Sequence, residues 1–287
     1  MNQEYAIENY IKELRLIIDN QISIMLDFSS KCSSYSLKEQ TAISLLQMTI
    51  SNVCSIMQLS KGIAISKSFA IIDPISLIPL LRTIYERTYM FHNIFIEPET
   101  DIEKNILFNI WRIRGLNNRK NVENTPQKYK KKAERELTII EELKREIDTF
   151  IEQINISEHA KSQIVKAYSN DSSMTEGYLF IYDESGKITR FERISFSKSP
   201  KFLLGEKLNK IYSLLSLNTH PSYLSVLQFK DMNENSINSF LKMIFEGIII
   251  YNGIFFRDLC NIIPEGNVYL NELKNKGCTL FNKIEFE

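Results

Sequence analysis

Composition and periodicity predict an all-α fold, a bundle of about eight helices carrying one small β-hairpin. Three observations lead there. The 287 residues include only 9 glycines and 7 prolines, about half of average usage and too few turn residues for the many short strands of a sandwich or barrel. Hydrophobic residues make up 44% and charged residues 24%, enough to bury a full core and unlike a disordered chain. Along most of the sequence the apolar residues recur with the 3.6-residue period of a helix, and only one stretch departs from it.

Each element has its own signal. Residues 4–30 carry Tyr5, Ile7, Ile11, Leu14, Ile17, Ile18, Ile22 and Met25 on one helical face. A second helix opens on a capping box, Ser36 with Glu39, and runs to about Leu59. Asp73-Pro74 supplies a cap and a first-turn proline for a third, which ends before Glu97-Pro98. Thr100 and Glu103 cap a fourth, through about Arg114. From Pro126 a long helix bears the narrow stripe Leu137, Ile140, Leu143, Ile147, Phe150 and Ile154, its other faces charged. Residues 157–169 form a shorter helix. The period then changes: residues 178–182 and 188–196 flank the Gly-bearing turn 183–187, a hairpin. Helices resume from Ser199-Pro200 to His220 and over about 234–262, and a short helix and a tail follow Pro264. Residues 1–114 and 199–263 are expected to form one helical domain. The more polar segment 115–198 is an insertion, and 264–287 a C-terminal extension.

Basic and acidic residues balance at 35 each, which argues against a general polyanion binder while leaving room for a local basic patch. Cysteines 32, 54, 260 and 278 show no CxxC pair and read as reduced, mostly buried thiols of a cytoplasmic protein. The three histidines lie far apart, so no zinc spacing exists and no metal site is expected. The opening MNQEYAIENY has neither a basic nor an apolar signal region. The apolar stretch Phe240–Ile263 is interrupted by Lys242, Glu246, Arg257 and Asp258. It therefore reads as a buried helix, and no membrane association is expected. Walker A, Rossmann, GxSxG and HExxH motifs are all missing, so no cofactor is expected either.

Four constellations could carry chemistry. Arg82, Glu86, Tyr89 and Asn93 follow one another at i, i+4, i+7 and i+11, a single polar line on a helix otherwise apolar nearly all round. Two readings fit: a structural ion pair that fixes helix register, or an arginine held for a phosphate or carboxylate with Glu86 orienting it. Ser213, Ser216 and His220 stand at i, i+3 and i+7, and Pro221 disfavours helical geometry at His220. An imidazole at a helix C-terminus suits either a cap or a proton shuttle. Arg87 and His92 have an Arg-x4-His spacing and are an alternative catalytic pair, although positions five apart on an ideal helix face different sides. Finally, Arg112, Arg114, Arg119, Lys120, Lys128, Lys130, Lys131 and Lys132 form a basic run around Trp111 and Tyr129, broken only by Glu123. It reads as a solvated loop and helix start, or as a cationic surface for a phosphate backbone.

The segments LLRTIYERTYMF and YSLLSLNTHPSYLS together resemble an uncharacterised bacterial all-helical family with Arg-x3-Glu and Ser-x3-His-Pro-Ser motifs, a distant branch of the HEPN superfamily. The resemblance runs from the second helix to the last long one, with 115–198 inserted. It implies a HEPN-like bundle and a homodimer, and a metal-independent ribonuclease of toxin or anti-phage defence systems. Carried over by position, Arg82, Glu86, Ser216 and His220 are the polar residues of the family. The chain departs from the HEPN pattern in one respect: no arginine stands four to six residues before His220. The resulting expectation is a protein that acts on RNA. Arg82 holds the scissile phosphate, Glu86 positions it, His220 with Ser216 moves a proton, and Tyr89, Asn93, Ser213, Arg112, Arg114, Arg119 and Lys120 contact the strand. The competing expectation is a non-catalytic interaction or ligand-sensing bundle whose polar stripe is structural.

Overall fold

The computed structural model describes residues 2–30, 34–67, 69–117, 127–169, 176–196, 209–219 and 223–276. They are mostly helical: α1 (Asn2–Ser30), α2 (Leu37–Leu59), α3 (Ile78–Phe95), α4 (Asp101–Asn117), α5 (Gln127–Ile151), α6 (Glu158–Ser169), α7 (Asn209–Thr219), α8 (Tyr223–Lys230), α9 (Glu234–Ile262) and α10 (Asn267–Asn275). Two antiparallel hairpins accompany them, β1 (Ile63–Ser66) with β2 (Phe69–Ile71) and β3 (Glu176–Tyr182) with β4 (Ile188–Ser195). The chain divides into two compact units, residues 1–91 with 200–287, and residues 92–199. The polar segment 115–198 thus shares its unit with the end of α3 and with α4.

Most boundaries follow from local chemistry. Ser36 accepts from the Glu39 N–H while Glu39 Oε2 accepts from the Ser36 N–H, closing the expected box at the start of α2. Thr100 and Glu103 do the same for α4. Asp73 Oδ1 accepts from the Ile75 and Ser76 N–H groups and starts a 3₁₀ turn, Ile75–Leu77, that leads into α3. In the turn between β3 and β4, Gly186 takes a φ of 78°, a conformation open to glycine at no steric cost. Along α5, Ile140, Leu143 and Ile147 are buried as the stripe predicts. Leu137, however, is 45% exposed, and Ile154 lies beyond the helix end.

Two elements escape the periodicity. The β1–β2 ribbon has no buried face in β1, where Ile63 and Ile65 are 57% and 62% exposed, so the apolar–polar alternation of a half-buried strand never develops. Helix α8 reverses the usual polarity: Tyr223, Val226 and Phe229 are exposed while Ser225 is buried. Helix α8 adds to the helices expected, and the described residues hold ten α-helices.

In the first unit α1 runs along α9, α2 touches both, and α10 lies on α1. Gln21 and Asn252 exchange both amide hydrogen bonds between α1 and α9 and are fully buried. A Cβ on Gly247 would come within 3.2 Å of Leu81, so glycine lets α9 approach α3 closely. Phe91 meets Phe255 at 4.7 Å and Tyr85 meets Tyr251 at 5.0 Å between ring centroids. Helices α2 and α9 are long and apolar enough to cross a membrane, yet 67% of the most apolar window of α9 is buried inside the protein. This agrees with the reading of 240–263 as a core helix. Cys260 is buried and its thiol is pushed up to about 12 by burial, with Asp258 adding to the effect. Cys54, by contrast, is exposed, so the expectation of mostly buried thiols fails there.

In the second unit α4 pairs with α5, and α6 packs on β4. The hairpin is tied to the start of α6: the Ser157 N–H donates to the Ile188 carbonyl and the Ile188 N–H to the Asn155 carbonyl, both at 2.8 Å.

Candidate functional site

The polar line on α3 begins with a tight ion pair. Arg82 Nε donates to Glu86 Oε1 at 2.7 Å, and the two side chains are 20% and 25% exposed. One helical turn separates them, so the pair follows directly from the i, i+4 spacing. A third member comes from α7. The Tyr212 hydroxyl accepts from Arg82 Nη2 at 3.3 Å and lies 3.4 Å from Glu86 Oε1, to which it donates. The Arg82 guanidinium also sits 5.5 Å from the Tyr212 ring centroid. Tyr212 stands on Tyr85, ring centroids 5.1 Å apart, and Tyr85 in turn meets Tyr251 edge-on.

This arrangement fixes the charge states. Burial works against the Arg82 cation, but the Glu86 carboxylate and the Tyr212 hydroxyl outweigh it and raise its pKa. Burial raises the Tyr212 phenol; Arg82 opposes that shift and Glu86 reinforces it. The cluster is therefore a permanent guanidinium, held on two sides and still reached by solvent, beside a protonated phenol. The bonds to Glu86 and Tyr212 use Nε and one Nη, two of the five N–H donors of an arginine fork. Such a fork matches phosphate and carboxylate oxygens.

The contact between α3 and α7 runs through Tyr212. Tyr212 was not among the predicted site residues, although its place four residues before Ser216 puts both on neighbouring turns of one helix. On α7, Tyr212 and Leu215 are buried, Ser216 is half-buried and Ser213 is exposed. Ser213 therefore lies on the solvent side of α7, while Ser216 stands at the margin of its buried face. His220, Arg119 and Lys120 lie outside the described residues.

The rest of the predicted line serves other ends. Tyr89 is buried, 2% exposed. Asn93, expected to contact substrate, instead clamps backbone: its Nδ2 donates to the Tyr178 carbonyl at 2.8 Å and its Oδ1 accepts from the Tyr178 N–H at 3.1 Å. A carboxamide presents one donor and one acceptor at the spacing of a strand, so Asn93 closes the outer edge of β3. Replacing Asn93 by Ala leaves both buried backbone groups unpaired and is expected to cost about 2–4 kcal/mol. Urea unfolding of the variant would check this, and a loss below about 1 kcal/mol would contradict the clamp.

Arg87 and His92 have separate partners. Arg87 Nη1 donates to Thr49 Oγ1 at 3.1 Å, and burial lowers its pKa. His92 Nε2 is 3.3 Å from Glu97 Oε2. The basic run is also corrected at its start. Arg114 is buried, 5% exposed, with its guanidinium 5.4 Å from the Tyr178 ring centroid. Arg112 is half-buried, stacks on Phe108 and donates to Asn109 Oδ1 at 3.3 Å. On α4 these positions fall among the buried Ile110, Ile113 and Asn117, which draws them off the surface that the expected strand contacts require. Lys131 and Lys132 are exposed. Among the described residues no group of three or more His, Cys, Asp or Glu side chains is arranged to hold a metal ion.

The fold and this cluster define a mostly helical protein with two small hairpins and an arginine–glutamate–tyrosine network where α3 meets α7. Residues 48–237 match the model of DUF5677, a family of unknown function, and the chain belongs to that family. The match includes Arg82, Glu86 and Tyr212 together with the whole of the second unit. No curated protein and no solved structure matches the chain.

Proposed function

We propose that this protein is a HEPN-like, metal-independent endoribonuclease of a bacterial toxin or anti-phage defence system, acting as a homodimer from the cluster between α3 and α7. The observation that carries the reading is Arg82. It is a solvent-reached guanidinium whose orientation is set by Glu86 and Tyr212 and whose remaining donors suit a phosphodiester. In the proposed step the 2′-oxygen attacks the adjacent phosphorus as the bond to the 5′-oxygen breaks. The 2′-hydroxyl proton passes to His220, assisted by Ser216, and the departing 5′-oxygen takes a proton from the same imidazole or from water. The products are a 2′,3′-cyclic phosphate and a 5′-hydroxyl. Arg82 neutralises charge on the phosphoryl oxygens, and Glu86 and Tyr212 hold it in place.

Purified protein incubated with total RNA, wild type beside His220→Ala, tests the reading. Cleavage by the wild type, reduced about 10²–10⁴-fold in the variant, is the expected result. Equal and negligible cleavage by both rejects the ribonuclease. A second reading draws on the same contacts: because Arg82 is bonded to both neighbours, the network could serve only to fix how α7 seats on α3, in a non-catalytic interaction or ligand-sensing protein.

A further inference from the structure

Helix α2 turns an uncharged face to solvent. No Asp, Glu, Lys, Arg or His occurs from Gln40 to Ser60. Yet α2 is a surface element: 39% of its most apolar window is buried, against 67% for α9. Ser44, Met48, Ser51, Ser55 and Gln58 are exposed and follow the helical period along one side. Neighbouring α1 shows the ordinary pattern, with Glu8, Lys12, Arg15 and Asp19 at exposed positions. Donors on the α2 face are also satisfied within the chain. Ser44 and Ser55 donate to the Gln40 and Ser51 carbonyls, both at 2.9 Å, and Gln40 Nε2 donates to the Tyr35 carbonyl at 2.8 Å. Covering these groups therefore strands none of them.

Two features identify what covers the face. The first is the spacing of its large apolar side chains. Met48, 53% exposed, stands at the midpoint of α2, and Leu37, 52% exposed, opens it. Just past the other end, Ile63 and Ile65 are exposed on β1. Leu37 and Leu59 each lie roughly 16 Å along the axis from Met48. A second copy laid antiparallel across Met48 thus brings its Leu37 to the C-terminal end of α2, towards the apolar strand that follows. The second feature is charge. A two-fold interface sets the same patch against itself, so a charge near the axis meets its own like. A face without charges pairs with itself at no such cost.

We infer that this face of α2 is where two copies of the chain pair, antiparallel about Met48. The inference gives the proposed homodimer its interface and rests on that reading for the dimer alone; its test does not read RNA cleavage. Sedimentation velocity of the full chain, up to about 100 μM, measures it. The wild type is expected to dimerise. Met48→Glu and Ser51→Glu, which set carboxylates against each other near the axis, should weaken association tenfold or more. Both positions are exposed, so the melting temperature in dilute solution should stay at the wild-type value. In a Cys32→Ser/Cys54→Ser/Cys278→Ser background, Met48→Cys should give a disulfide-linked dimer under mild oxidation. Leu37→Cys should not, because its symmetry mates stand roughly 33 Å apart. If either acidic variant perturbs folding, the cross-linking pair decides. A monomeric wild type, including one that instead partitions onto phosphatidylcholine vesicles, overturns both the interface and the homodimer. A dimer undisturbed by the acidic variants, or one linked through Leu37→Cys and not Met48→Cys, overturns the interface and leaves the homodimer standing.

Discussion

Arg82→Ala is expected to lower RNA cleavage about 10²–10³-fold, the usual loss when one oriented electrostatic group is removed from a phosphoryl or acyl transfer site. Its effect on stability should be modest. The Arg82–Glu86 pair is partly solvated, so its loss costs on the order of 1 kcal/mol and a few degrees in melting temperature. Arg82→Lys retains the charge but loses the planar fork and should fall between the two. The measurement is the initial rate on a defined single-stranded RNA beside a thermal unfolding curve for each variant. A drop of more than about 10 °C in Arg82→Ala, with no RNA effect, would assign the network to architecture.

The largest stability loss is expected from Arg257→Ala. Asp258 is fully buried in α9, and Arg257 meets its Oδ1 through Nη2 at 2.6 Å and Nε at 2.8 Å. The guanidinium is itself 28% exposed, so it links a buried carboxylate to the solvent side of the helix. Removing it takes from a buried carboxylate the cation that meets it, a change that costs about 3–5 kcal/mol. Thermal unfolding should show a midpoint lower by on the order of 10 °C. The double variant Arg257→Ala/Asp258→Leu is expected to recover much of that loss, because replacing both partners removes the buried charge along with the pair. A double variant no more stable than the single one would show that Asp258 does other work in the core.

Features whose partners lie within one turn or one hairpin were legible in the residues. The capping boxes at Ser36 and Thr100, the Asp73 cap and the Gly186 turn each involve atoms a few positions apart. The i, i+4 spacing alone predicts the Arg82–Glu86 bond. Contacts across long separations left weaker traces. Tyr212 reaches Arg82 over 130 positions and Asn93 reaches Tyr178 over 85, and no spacing rule connects them. Arg114 looked like part of a cationic surface because arginine is seldom buried; the ring of Tyr178 makes its burial tolerable. Helix α8 and the β1–β2 ribbon were missed for the opposite reason, since exposed apolar side chains erase the contrast from which a period is read.

By itself, then, the order of residues determined a mostly helical chain, the ends of most of its elements and the arginine–glutamate pair on a central helix, because helix period and capping act over one or two turns. Tertiary structure alone decided which polar residues do the same work. It joined Tyr212 to Arg82, turned Asn93 into a backbone clamp and drew Arg112 and Arg114 inward. The physical reason is that a buried hydrogen bond or stacked cation depends on a partner brought near by packing, whatever its distance along the chain.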